Sequence, residues 1–176
     1  MKIVRIIPEN DCLLSVYDDE NGKSKFRQLF DNWYDIEYLF DFFVTNQNDL
    51  ITDIDSAIQI TIDGAEKLED KLLEISDDES EQLQTIFRPL SPSEYRLSTY
   101  QKSKAYGTFS RSWLRIYAIR IDPDLYVVTG GAIKLTQKMQ GRSHTQEQLN
   151  LLNQARDYLR EIGFTKNDLE DLETEL

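Results

Sequence analysis

An arginine set on an alternating strand among aromatic and branched residues must be paired or must meet an anion. The run Trp113-Leu114-Arg115-Ile116-Tyr117-Ala118-Ile119-Arg120-Ile121 places one there. Successive side chains of a strand point to opposite faces, so Trp113, Arg115, Tyr117, Ile119 and Ile121 are expected together, with Leu114, Ile116, Ala118 and Arg120 opposite. An isolated buried guanidinium is expensive. Two readings therefore stand side by side for Arg115: a salt bridge to a carboxylate from earlier in the chain, or an arginine stacked on rings to contact a phosphate or base.

Further along, Lys134, Thr136 and Lys138 alternate with Ile133 and Leu135, giving a cationic, hydroxyl-bearing side over an apolar one. That pattern suits a phosphate-contacting strand, and equally an edge strand whose lysines guard against aggregation. Gly130-Gly131, just before it, allows a bulge or a close backbone approach by a ligand. His144 is the single histidine, two positions after Arg142. It can add a cation or a proton donor to this region, or simply sit at a helix start. With one histidine and one cysteine, Cys12, no zinc constellation or internal disulfide is expected, and Cys12 reads as a structural thiol in an apolar run. Phosphate-loop and dinucleotide glycine motifs and the Gly-x-Ser-x-Gly elbow are missing from the sequence. No cofactor is expected.

These candidates fall in a segment whose charge opposes that of the rest. Between Arg88 and Arg142 stand ten basic and three acidic residues (+7), within a chain of net charge −12. Residues 1–86 hold 7 basic against 21 acidic residues (−14), and residues 144–176 hold 3 against 8 (−5). Clustered cations make an anion-binding face whatever the global sign. The acidic balance argues against a general nucleic-acid coat. No apolar run reaches membrane length and the N-terminus is too short for a signal peptide, so the chain reads as soluble and cytoplasmic, with no membrane partner.

The elements that must position these residues follow from periodicity. Lys2 to Ile7 and Cys12 to Tyr17 read as a strand pair around a turn at Pro8 to Asp11. Phe26, Leu29, Phe30, Trp33, Ile36, Phe40 and Phe43 recur at helical spacing and predict one aromatic helix packed into the core. A second helix is predicted from Ile54 to Ile75, and a further turn over Ser80 to Phe87. Leu90 to Ser93 marks a break, after which Lys102, Lys104 and Arg111 fall in a loop suited to docking a large anion. Trp113 to Ile121 and Leu125 to Thr129 read as a hairpin, with Ile133 to Thr136 as a third strand. Helix resumes at a capping box on Thr145 and stops at Gly163, and Thr165 to Leu176 reads as one more short acidic helix or a frayed end. Together these predict a single α+β domain: residues 1–86 acidic and mostly helical, 87–162 a basic, β-rich core with a C-terminal helix, and 163–176 an acidic tail. The N-terminal helices are expected to pack on a small twisted antiparallel sheet.

Residues 113–138 resemble the core of the RelE/HigB-like toxins, including phage-derived relatives. In that family a strand arginine is followed by a turn, a second apolar strand, a glycine and a terminal Lys-Lys-Thr-Gln-Lys run. Arg115 matches the arginine, Gly131 the glycine, and Lys134, Thr136, Gln137 and Lys138 the terminal run; Leu135 stands where the second lysine is usual. The resemblance implies an α+β fold with two helices on a twisted antiparallel sheet. It also implies a metal-independent endoribonuclease that cuts mRNA, often on the ribosome, and a helix-turn-helix-type antitoxin partner. Arg115, Lys134 and Lys138 would hold and stabilise the phosphate, and His144 or a tyrosine would carry a proton. Lys102, Lys104, Arg111, Arg120, Thr136, Gln137 and Arg142 would contact the RNA. The alternative is a non-catalytic nucleic-acid- or protein-binding module on the same scaffold.

Overall fold

The computed structural model describes residues 1–77, 82–91, 93–94, 96–136 and 143–175. The N-terminal strand pair forms as predicted: β1 (Lys2–Arg5) runs antiparallel to β2 (Leu13–Asp18), with Lys2 opposite Tyr17 and Arg5 opposite Leu14. Asn10 fixes the turn between them. Its Oδ1 accepts the Cys12 N–H at 2.8 Å and its Nδ2 donates to the Ser76 carbonyl at 2.9 Å. A two-residue strand, β3 (Lys23–Ser24), folds back on β2 and delivers the chain into helix α1 (Lys25–Tyr34), whose N-cap is Ser24.

The predicted single aromatic helix is two. Helix α1 ends and α2 (Ile36–Thr45) begins at Asp35, which takes an extended conformation (φ −84°, ψ 110°). The Asp35 carboxylate accepts the backbone N–H groups of Glu37 and Tyr38, satisfying donors that a continuous helix would have used internally. The break lets α1 bury Phe26, Leu29, Phe30 and Trp33 while α2 turns to bury Leu39 and Phe43. Ile36 and Phe40, which the periodicity put in the core, are exposed. Helix α3 (Ile54–Asp77) matches its prediction, with Ala57, Ile58, Ala65, Leu68, Leu72 and Ile75 buried.

A 3₁₀ turn (Leu83–Thr85) leads to the remaining strands: β4 (Arg88–Pro89), β5 (Gln101–Tyr106), β6 (Leu114–Asp122) and β7 (Leu125–Ile133). The described strands form one sheet in the order β1-β2-β7-β6-β5-β4, with β3 beside β2. Every pairing is antiparallel except that of β2 with β7, which is parallel in the register Leu13 to Tyr126 and Ser15 to Val128. The fold is α+β, and the two halves of the chain share the sheet.

Helices cover both faces. On one, α1, α2 and α3 pack over Leu13, Leu114, Ile116, Ala118, Tyr126, Val128 and Ile133. On the other, helix α4 (Ser143–Ile162) lays Leu152, Ala155 and Leu159 over Leu14, Tyr117, Ile119, Val127 and Ala132. Burial on two faces explains the nearly unbroken apolar run of β7. Helix α4 already includes Ser143, so Thr145 lies in its first turn, buried, rather than capping it. Gly163 ends it at φ 64°.

The acidic tail is tied down rather than frayed. Thr165 and Asp168 form a reciprocal capping box on a 3₁₀ segment (Lys166–Asp171). Thr174 then bridges Arg5 at the free edge of β1, where Arg5 donates its N–H to Glu173 and accepts that of Glu175, both at 2.9 Å. The Arg5 guanidinium also donates to the carbonyls of Leu169 and Leu172. An otherwise open sheet edge is closed in this way.

Candidate functional site

Register brings the basic residues of three strands together. On the face that carries α4, Tyr106 of β5 lies opposite Arg115 of β6, Lys104 opposite Tyr117, and Arg115 opposite Ala132 of β7. Directly opposed side chains share a face. The Arg115 guanidinium stacks on Tyr106, 4.1 Å from the ring centroid, and Lys104 Nζ lies 5.5 Å from the same ring. Arg115 Nη1 donates to the carbonyls of Ser112 (2.6 Å) and Leu114 (2.8 Å), which fix the guanidinium at the strand's start. Lys134 follows β7 directly, its N–H bonded to Trp113 O at 2.7 Å.

Among the described residues, no ion pair includes Lys104, Arg115 or Lys134. Of the two readings of Arg115, the stacked arginine is therefore the one formed. Burial and neighbouring charge act on the titrating groups here. Burial lowers the Arg115 pKa, against the pull of Tyr106 and Tyr117. Lys134 is lowered by burial first, then by the charges of Arg115 and Lys104. Burial pushes the Tyr117 phenol up to about 12 although Arg115 works the other way. Clustered cations without a counter-charge are the electrostatic preparation for an anion.

The other candidates are dispersed around this corner. Lys102, on the same face of β5, is held by α4 through a 3.0 Å bond from Nζ to Asn153 Oδ1. Arg111 is exposed in the β5–β6 loop at φ 58°. Arg120 is 8% exposed on the opposite face, its Nη2 3.5 Å from Gln84 Oε1, and takes no part in the corner. His144 approaches from the start of α4. Its ring stands edge-on to Phe42 at 5.3 Å, with Nε2 3.4 Å from the Ile133 carbonyl oxygen. His144, Lys134 and Thr136 border one small cavity. Gln137, Lys138 and Arg142 lie outside the described residues.

Sequence reasoning placed Lys102 and Lys104 in a loop and passed over Tyr106 altogether. The segment Gln101-Lys102-Ser103-Lys104-Ala105-Tyr106 does alternate, but its inward residues are Gln, Ser and Ala, too small and polar to register as an apolar face. Trp113 also differs from expectation. It precedes β6 and turns to the helical face, where Nε1 donates to Thr61 Oγ1 at 3.0 Å and the ring lies 5.7 Å from Phe43. Of the strand expected over Ile133 to Thr136 only Ile133 is in strand, as the last residue of β7, which runs through the glycines. Lys134 follows that end, beyond Val128, where the pairing of β7 with β2 stops.

The two glycines serve a bulge and a close approach at once. The register shifts between Tyr117 and Ala118, opposite Gly130 and Val128. A Cβ on Gly130 (φ 150°) would stand 2.0 Å from Gln148 Oε1, and one on Gly131 would stand 2.4 Å from Arg115 O. Gln148 uses the space to accept the Gly131 N–H at 3.1 Å.

That bond lies beside a split in the sheet. Pairing of β2 with β7 ends at Val128, whereas β7 continues to Ile133. Strand β2 leads through β3 to α1 on one face, and β7 leads to α4 on the other. Between them opens a cleft of about 190 Å³, walled by Lys25, Gln28 and Asn32 of α1, Tyr38 and Phe42 of α2, Gly130 to Ile133, and His144, Glu147 and Gln148 of α4. Lys25 is engaged by Asp18 at 2.6 Å, and burial raises the Tyr38 phenol.

Among the described residues no three metal-ligating side chains converge, and no helix is long and apolar enough to cross a membrane. No protein-family model matches the sequence, and no curated protein or solved structure matches it significantly.

Proposed function

We propose that the Lys104–Arg115–Lys134 corner binds a phosphate of single-stranded RNA, and that the chain is a RelE/HigB-like, metal-independent endoribonuclease. The observation that carries this reading is the convergence of three cations around Tyr106 with no described carboxylate paired to any of them. The chain's strongly acidic remainder repels RNA, so the corner is also where an RNA strand is steered. In the reaction, the ribose 2′-oxygen attacks the adjacent phosphorus and the bond from phosphorus to the 5′-oxygen breaks. The products are a 2′,3′-cyclic phosphate and a 5′-hydroxyl. Arg115 and Lys104 stabilise the crowded phosphate. Lys134 can take the 2′-hydroxyl proton only in its neutral form, and Tyr106 supplies one to the leaving oxygen. The partners of this reading are mRNA, alone or on the ribosome, and a helix-turn-helix-type antitoxin; its place is the cytoplasm.

One observation favours the binding module instead. The described proton carriers of the corner are a lysine and a tyrosine, types that ordinarily keep their protons at neutral pH. One assay separates the two readings. The protein is incubated in EDTA with an end-labelled RNA and with the same sequence as DNA. Cleavage of the RNA alone, leaving a cyclic phosphate end that Arg115→Ala abolishes, supports the nuclease. Intact RNA bound with steep salt dependence supports the module. RNA neither cut nor bound refutes both.

A further inference from the structure

We infer that the cleft at the carboxyl ends of β2 and β7 seats one unpaired nucleobase of the RNA strand whose phosphate the corner binds; the inference rests on that reading of the corner. Parallel neighbours whose onward connections leave on opposite faces create a crevice beyond their carboxyl ends, and open sheets bind ligands there. Strands β2 and β7 meet that description, with α1 and α4 departing on opposite faces.

Size and lining then narrow the ligand. At about 190 Å³ the cleft is smaller than the roughly 300–1,000 Å³ of sites that enclose a whole small molecule. It suits one flat part of a larger ligand. Its walls pair aromatic surface, from Tyr38 and Phe42, with neutral or acidic hydrogen-bonding groups, from Asn32 and Glu147, while the Gln28 amide is held by Asp18 and the Lys23 carbonyl. The one lysine is already bound to Asp18, so a phosphate finds no free cation inside. Aromatic faces with amide and carboxylate edges are how proteins hold a splayed-out base.

Continuity supplies the rest. His144 and Ile133 border both this cleft and the small cavity beside Lys134. From Gly131 to Lys134 the chain advances about 10 Å at strand spacing. A phosphate at Lys134 and a base against Gly131 are thus neighbours on one strand.

The test uses two end-labelled, 2′-fluoro-substituted RNA oligomers of equal length, one complete and one abasic at its internal positions, with binding followed by fluorescence anisotropy. The wild-type protein should bind the complete oligomer about tenfold more tightly, the scale of one stacked base. Asn32→Ala and, at an exposed position that carries no folding risk, Glu147→Ala should each shrink that preference below about threefold and leave the abasic affinity unchanged. Equal wild-type affinity for the two oligomers overturns the base cleft and leaves the phosphate corner standing. A preference undiminished in both variants seats the base elsewhere and also overturns it. Failure to bind either oligomer overturns cleft and corner together.

Discussion

Replacing Arg115 by methionine separates a guanidinium kept for binding from one kept for folding. In its favour the guanidinium has a stacking contact with Tyr106 at 4.1 Å, a type worth roughly 0.5–2 kcal/mol. It also donates two hydrogen bonds from one charged nitrogen, to the carbonyls of Ser112 and Leu114. Against these run its own burial, which lowers its pKa, and the like charges of the corner, which with burial lower that of Lys134. A methionine keeps the apolar stem and a sulfur–ring contact with Tyr106. Contributions of both signs act on the guanidinium, so urea unfolding should place Arg115→Met within about 2 kcal/mol of the wild type. RNA binding should respond quite differently. Loss of a phosphate contact should weaken affinity at least about tenfold and make the slope of log K against log salt shallower by about 0.7. A variant that unfolds more than about 3 kcal/mol more easily and still binds RNA normally would refute the reasoning and make Arg115 a structural residue.

Other substitutions test how the corner is built. Gly131→Ala would bring a methyl group to 2.4 Å from Arg115 O and 2.6 Å from Leu29 Cδ2. No rotamer relieves a backbone clash, so thermal unfolding should show a loss of roughly 3 kcal/mol. Asp35→Ala removes the acceptor of two helix-start N–H groups and should cost about 1 kcal/mol in urea unfolding, with Asp35→Asn recovering most of it. Asp18 accepts from Lys25, Asn21 and Gln28, which hold its carboxyl well below the usual range. A depressed folded pKa stabilises above the unfolded value, about 3.9, and that contribution is lost as pH falls toward the folded one. Wild type should therefore exceed Asp18→Asn in stability at pH 7, with the gap narrowing as unfolding is measured at progressively lower pH. Burial and the hydrogen bond to Asp124 push the Cys12 thiol up to about 12, so iodoacetamide at neutral pH should label it slowly until urea unfolds the chain.

What the sequence discloses depends on side-chain size. Strands β6 and β7, helix α3 and the end of α4 at Gly163 were legible because large apolar residues or a glycine marked them. Strand β5 was not, because Ser103 and Ala105 make its inward face. The aromatic stripe across α1 and α2 keeps helical phase through Asp35, so periodicity reads one helix where a side-chain cap makes two. Of the site, Arg115 and Lys134 were found by type and alternation. Their company was not, since register alone sets Tyr106 and Lys104 beside them. The cleft had no sequence signal except Gly130-Gly131, whose purpose depends on Gln148 arriving from α4.

The parallel pairing of β2 with β7 also governs how the chain reaches this form. Ser15 Oγ donates to the Val128 carbonyl across 113 positions of chain. No hairpin can make that contact early, because the intervening loop must close first and its entropy is not repaid until the central strands exist. Strands β5 to β7 form a local antiparallel meander. Until β2 arrives, β7 presents an open, apolar border to any other chain. The acidic first half is then an obligatory closing piece of the sheet. Deleting it would yield sticky, aggregating material, and refolding should show a slow phase in which that border is sealed last.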